Sequence, residues 1–273
     1  MTKLSISRAW DETRAILARD GKLLATVAAA LFLLPQVLVG FISGQSTSAE
    51  PPGGAGLLLM FVAAIIGLIG QLAVVRMAIG QGVSVGEAIG HGFRRALPFL
   101  LSLLLMLVAF ALLFMIAVMI LRAVGAIDLQ AVASGGTPRP QDVGLILLVI
   151  FIPLLYVGVR LLVLAAVASE ERHGPLAALR RSWALTAGNG WRLFGFVVIF
   201  IIGAIIVTVA VAMVAGLIVR LFVGSVEPLT AGALVLALFG GLAQAAVTLV
   251  YVVMIARIYA QVAGERNFEE VFR

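Results

Sequence analysis

The sequence predicts an all-α integral membrane protein with six transmembrane helices. Three observations carry that expectation: an extreme apolar composition, six long hydrophobic runs, and basic residues gathered on one side of them. Of the 273 residues, 63% are hydrophobic and 12% charged, with a mean hydropathy of +1.18. Soluble domains run at roughly 45–50% apolar and about 25% charged. A water-soluble globule of this size leaves much of its surface exposed and could not hide so much hydrocarbon. The bilayer is therefore the expected solvent. Cysteine is absent, so no disulfide framework, thiolate or cysteine metal site is available.

Each run is near or above the roughly 20 residues that a hydrocarbon core demands. The first, Leu23 to Ser43, follows a basic lead of Lys3, Arg8, Arg14, Arg19 and Lys22. No small-residue cleavage pattern follows it, so no signal peptide is expected. Pro35 should kink this span by removing a backbone donor. The loop Gly44 to Gly56 separates it from the second run, Leu57 to Val75. A connection with Gly82, Gly86 and Gly90 follows, whose four-residue spacing suits either close helix approach or a flexible turn. The third run is Ala96 to Leu121, and the stretch Ala123 to Asp142 has the Gly/Pro/Ser content of a loop. The fourth, Val143 to Ala168, contains Pro153 and is interrupted by Arg160. The fifth, Leu193 to Val219, and the sixth, Thr230 to Ala256, are long enough to imply tilt and are divided by a turn at Gly224 to Pro228. Continuous runs, rather than alternating ones, require helices that satisfy their own backbone.

Counting Lys and Arg in alternate connections places sixteen on the side of both termini and three, Arg122, Arg139 and Arg220, on the other. The positive-inside rule then puts both termini in the cytoplasm. Trp10, Trp183 and Trp191 fall on the basic side, at span ends, where interfacial anchors belong.

One polytopic membrane domain over residues 1–273 is expected, organised as three repeat-like units at about 1–80, 81–170 and 171–262 with a tail at 263–273. The units share a short pattern: Ile6-Ser7-Arg8-Ala9-Trp10, Ile89-Gly90-His91-Gly92-Phe93 and Leu179-Arg180-Arg181-Ser182-Trp183. Each has an aliphatic residue, a basic residue two later, a small residue and an aromatic. These segments read as amphipathic helices, each preceding a transmembrane hairpin. In the headgroup plane they would sink Trp10, Phe93 and Trp183 among acyl chains and hold Arg94, Arg95, Arg180 and Arg181 near anionic phosphates. Arg76, Arg160 and Arg257 recur late in the even spans. They are candidate anion or headgroup contacts, either snorkelling to lipid or facing inward. Glu87, Glu170, Glu171 and Glu265 follow these spans and could pair with an arginine of a neighbouring unit.

The spans contain no Asp or Glu, which removes the usual coupling carboxylates of ion-driven transporters. His91 and His173, the only histidines, have no metal-ligand spacing, and no nucleophile elbow, Walker loop or dinucleotide fingerprint occurs. No enzyme, metal, cofactor or nucleic-acid partner is expected. The preferred reading is a membrane module that organises or binds anionic lipids or partner proteins, or self-associates, at the cytoplasmic leaflet. The alternative is a channel or uncoupled transporter for a small or amphiphilic solute, with Arg76, Arg160 and Arg257 lining its path.

The motifs Arg8-Ala9-Trp10, Leu34-Pro35, Gly86-Glu87-Ala88-Ile89, Arg94-Arg95-Ala96-Leu97-Pro98 and Glu170-Glu171-Arg172-His173-Gly174-Pro175-Leu176, with Arg181-Ser182-Trp183-Ala184-Leu185-Thr186, carry a further likeness. Through them the chain resembles bacterial YciC-type membrane proteins and the membrane domain attached to some glycerophosphoryl diester phosphodiesterases. The resemblance implies a six-span protein of the bacterial cytoplasmic (inner) membrane. The phosphodiesterase activity belongs to a separate soluble domain and does not carry over.

Overall fold

Backbone donors and acceptors have no water to bind in hydrocarbon, so long apolar runs close their hydrogen bonds within helices. The computed structural model describes residues 4–43, 53–80, 82–128, 139–224, 227 and 229–271, and among them no strand occurs. Six helical stretches are long and apolar enough to cross a membrane: Ile6–Ile42, Gly54–Ile79, Val85–Ala123, Pro140–Glu170, Gly190–Phe222 and Ala231–Gly264. This is a multi-pass membrane architecture. Most of the loop after Ser43, the segment from Leu129 to Pro138 and parts of the Gly224 to Pro228 turn lie outside the described residues. So do Arg273 and the side chains of Glu265 and Arg266.

Helix α1 (Ile6–Ala28) starts at Ser5, whose hydroxyl accepts from the Arg8 amide at 3.3 Å. It continues through a π-helical turn (Ala29–Leu33) into α2 (Leu34–Ser43). Pro35 explains that turn. Its ring collides with the carbonyl four residues back, and widening the preceding turn relieves the collision. The Leu34 amide accordingly donates to Ala29, five residues earlier. Helix α3 (Gly54–Ile79) and helix α4 (Val85–Ala123) form an antiparallel hairpin. The fourth crossing is broken into α5 (Pro140–Arg160) and α6 (Leu164–Glu170), and α7 (Pro175–Thr186), α8 (Gly190–Ile218) and α9 (Ala231–Val271) complete the chain.

The expected separate amphipathic helix exists only before the fifth crossing, as α7. In the first two units the amphipathic lead and the span are one continuous helix, α1 or α4. The cause is local. Gly174-Pro175 starts α7 and Gly188, at φ +87°, ends it. No such pair separates Trp10 from span one or Phe93 from span three.

Burial is concentrated at the arginine-rich end of the bundle. There α3 and α9 are buried on all sides, through Leu72 to Val75 and Val252 to Ala256, against Leu24 and Val27 of α1, Leu164 to Ala168 of α6 and Leu193 of α8. By contrast, the most apolar windows of α4 and α8 contain no buried residue. Lipid tails are as apolar as leucine, so such faces carry no penalty in a bilayer. Close approaches are made by glycine. A Cβ at Gly70 would meet Leu31 and Phe32 at 2.8 Å, and one at Gly40 would meet Ala237 at 3.0 Å.

Candidate functional site

The break between α5 and α6 positions the candidate site. A helix end leaves carbonyls without partners, and the Arg160 carbonyl accepts instead from the hydroxyls of Ser182 at 3.3 Å and Thr186 at 2.9 Å. Both hydroxyl residues are fully buried. One face of α7 is thereby clamped to the end of α5. The adjoining face, with Leu176, Leu179, Arg180 and Trp183, turns toward α4.

Between them lies an apolar groove of about 540 Å³. Its walls are Leu105, Met106, Ala109, Phe110 and Leu113 of α4, Val157 of α5, and the α7 residues with Leu161 and Ala184. The α4 residues span about two turns, or roughly 12 Å at 1.5 Å per residue. Its volume falls within the roughly 300–1,000 Å³ typical of small-ligand sites. Arg180 is the one charged residue of the lining. The adjacent Arg181 points elsewhere, to Glu171 at 3.2 Å.

Trp183 joins the groove to Arg160. The Arg160 guanidinium carbon lies 5.3 Å from the Tyr156 ring centroid and 5.5 Å from that of Trp183. The two rings meet edge to face, 5.7 Å apart. Nε and Nη2 donate to the Tyr156 hydroxyl at 3.3 and 3.2 Å, while the buried Nη1 has no hydrogen-bond partner.

The other two recurrent arginines have acidic partners. Arg76 pairs with Glu170 at 2.8 Å, which joins the first unit to the second as the sequence pattern suggests. Arg257 pairs with Glu12 at 2.7 Å, a residue that sequence reasoning passed over. Nor do the three occupy equivalent places: Arg76 lies in the last turn of α3, Arg160 ends α5 ahead of a further helix, and Arg257 sits well inside α9. They share no partner. Glu171 joins several groups, accepting from Arg181, from the Tyr259 hydroxyl at 2.9 Å and meeting His173 Nε2 at 2.7 Å. His91 Nε2 lies 2.9 Å from the Ser169 carbonyl.

Arg94 and Arg95 are outside the groove lining, on the first turns of α4 beside Phe93, which is 70% exposed. Trp10 and Trp191 are also exposed, Trp191 edge to face with Phe194. The Gly82, Gly86, Gly90 series makes no close helix contact, for nothing crowds a Cβ at Gly82 or Gly86 and only the Arg94 tip, at 3.9 Å, approaches one at Gly90. The close contact belongs to Gly92, where a Cβ would stand 2.5 Å from the Ile69 carbonyl oxygen. The Tyr156–Arg160 pair was findable, since residues four apart share a helix face. The groove was not, because it needs three helices in place.

No curated protein matches the chain, and no solved structure does. Residues 4–263 match the family model described as a domain of unknown function, DUF7847. That match covers nearly all of the sequence, and the chain belongs to this family.

Proposed function

We propose that this protein is a non-enzymatic component of the bacterial inner membrane that binds anionic phospholipid at the cytoplasmic leaflet. The observation that carries the reading is the groove: an apolar trough open along the bundle surface, with Arg180 and Trp183 at α7. An acyl chain fits the trough, and the headgroup phosphate meets Arg180. The sixteen-to-three bias of basic residues supports a cytoplasmic location for that end. The resemblance to YciC-type proteins carries the same localisation. The channel reading draws on an inward ring of arginines, but Arg76 and Arg257 are each engaged by a carboxylate.

The test is lipid retention by the purified full chain, followed by native mass spectrometry. Ala109→Trp, which fills the exposed trough from α4, is expected to abolish bound phosphatidylglycerol without lowering thermal stability. Arg180→Gln should weaken its binding about fivefold, from the roughly 1 kcal/mol that a basic residue contributes beside an anionic surface. Unchanged retention in Ala109→Trp would show that the groove is not the lipid site.

A further inference from the structure

We propose that Arg160 occupies an aromatic cage from within and thereby makes the groove selective for phospholipids bearing a phosphate and no ammonium. This rests on the groove being a lipid site. Faces of tyrosine and tryptophan attract cations, and cages built from them recognise quaternary ammonium groups such as choline. Tyr156 and Trp183 form two walls of such a cage, meeting at an interplanar angle of 76°. Both are exposed, at 53% and 39%, so a headgroup can reach them. Yet the space over both rings is already taken by the guanidinium of Arg160.

Among the described residues no carboxylate pairs with that guanidinium. Arg76, Arg181 and Arg257 have Glu170, Glu171 and Glu12, whereas among the described residues Arg160 has only the Tyr156 hydroxyl. Its buried Nη1 lacks any acceptor, a costly state for a charged donor in a poorly hydrated site. A lipid phosphate beside the guanidinium supplies the missing negative charge. A choline lipid brings a phosphate too, but its ammonium meets Arg160 and Arg180 with the ring faces blocked and no acid in the groove lining. Trp183 belongs to both cage and groove, so a chain in the trough delivers its headgroup to this point.

The experiment presents the purified full chain with equal amounts of phosphatidylglycerol and phosphatidylcholine of the same acyl composition and counts retained lipid by native mass spectrometry. Wild type is expected to favour phosphatidylglycerol. In Arg160→Gln the ratio should fall at least about fivefold, the weight of one basic residue near a phosphate, and phosphatidylcholine retention should rise as the ring faces are freed. Arg160→Lys, which keeps the charge, should retain the preference and serves if the glutamine variant does not fold; equal retention of the two lipids by the lysine variant counts against the proposal. Soluble glycerol phosphate should not displace the bound lipid; full displacement would mean a free-phosphate site and overturns the lipid assignment. If Ala109→Trp strips both lipids while Arg160→Gln keeps the wild-type ratio, the groove stands and the selectivity proposal fails. If Ala109→Trp strips neither, the groove reading itself fails.

Discussion

Gly92→Ala is expected to destabilise the protein by about 3 kcal/mol, at the upper end of the range for overpacking a close contact. Gly90→Ala, two residues earlier in the same helix, is expected to stabilise it by about 0.5–1 kcal/mol. The chemistry of the two changes is identical, and in an isolated helix both would be favourable because alanine restricts the unfolded backbone. What differs is the neighbour. A Cβ at Gly92 would lie 2.5 Å from the Ile69 carbonyl oxygen and 3.2 Å from the Ala73 amide nitrogen, both main-chain atoms of α3 that no side-chain rotation can move. The helices must part, and the packing between α3 and α4 is lost along with His91's contact to Ser169. At Gly90 the nearest atom is the tip of Arg94, 3.9 Å away. Reversible unfolding in mixed dodecyl sulfate and mild detergent gives the two signs directly. Equal effects from the two substitutions would mean that α4 does not pack on α3 in this register.

The same pair of residues shows how far the sequence could be read. The existence of all six crossings was legible because hydrocarbon imposes length and polarity on each run separately, so no tertiary knowledge was needed. Register between helices is another matter. Gly82, Gly86 and Gly90 form the visible small-residue series, while the glycine that makes the contact, Gly92, stands outside it and is marked only as the small residue of the repeated pattern. The ion pairs divide in the same way. Arg76 and Glu170 could be matched as repeated features of adjoining units, but Arg257 finds Glu12 across nearly the whole chain. That pairing depends on α9 returning to α1. Arg160 was singled out from its place in an apolar run, as a candidate anion or headgroup contact. Its aromatic partners came from α5 itself and from α7, and the second could be known only once Gly174-Pro175 and Gly188 had turned α7 back over the break.

Glu171→Ala is expected to cost about 3 kcal/mol, the scale for leaving a partly buried charged partner alone, and also to reduce lipid retention although Glu171 does not line the groove. The carboxylate stands where three parts of the fold meet. It accepts from Arg181 on α7 and from Tyr259 on α9, and it contacts His173 in the turn before α7. Its own side chain is 17% exposed and that of Arg181 is 23% exposed, so solvent replaces the lost partner only in part. Removing it also releases the α7 face opposite the groove. The helix is then held by the Ser182 and Thr186 hydroxyls at its far end and by the Ser102 hydroxyl of α4 at the Pro175 carbonyl, and the wall that carries Leu176, Leu179 and Trp183 is less firmly placed against α4. Glu171→Gln separates charge from position: its carbonyl can still accept from Tyr259 and Arg181, so it should cost less than half as much and leave lipid retention near wild type. Retention therefore follows the placement of α7 and not the net charge at residue 171. Lipid binding lost equally in the alanine and glutamine variants would instead make the carboxylate's charge a direct determinant of binding, and would remove α7 from its role as the movable wall of the groove.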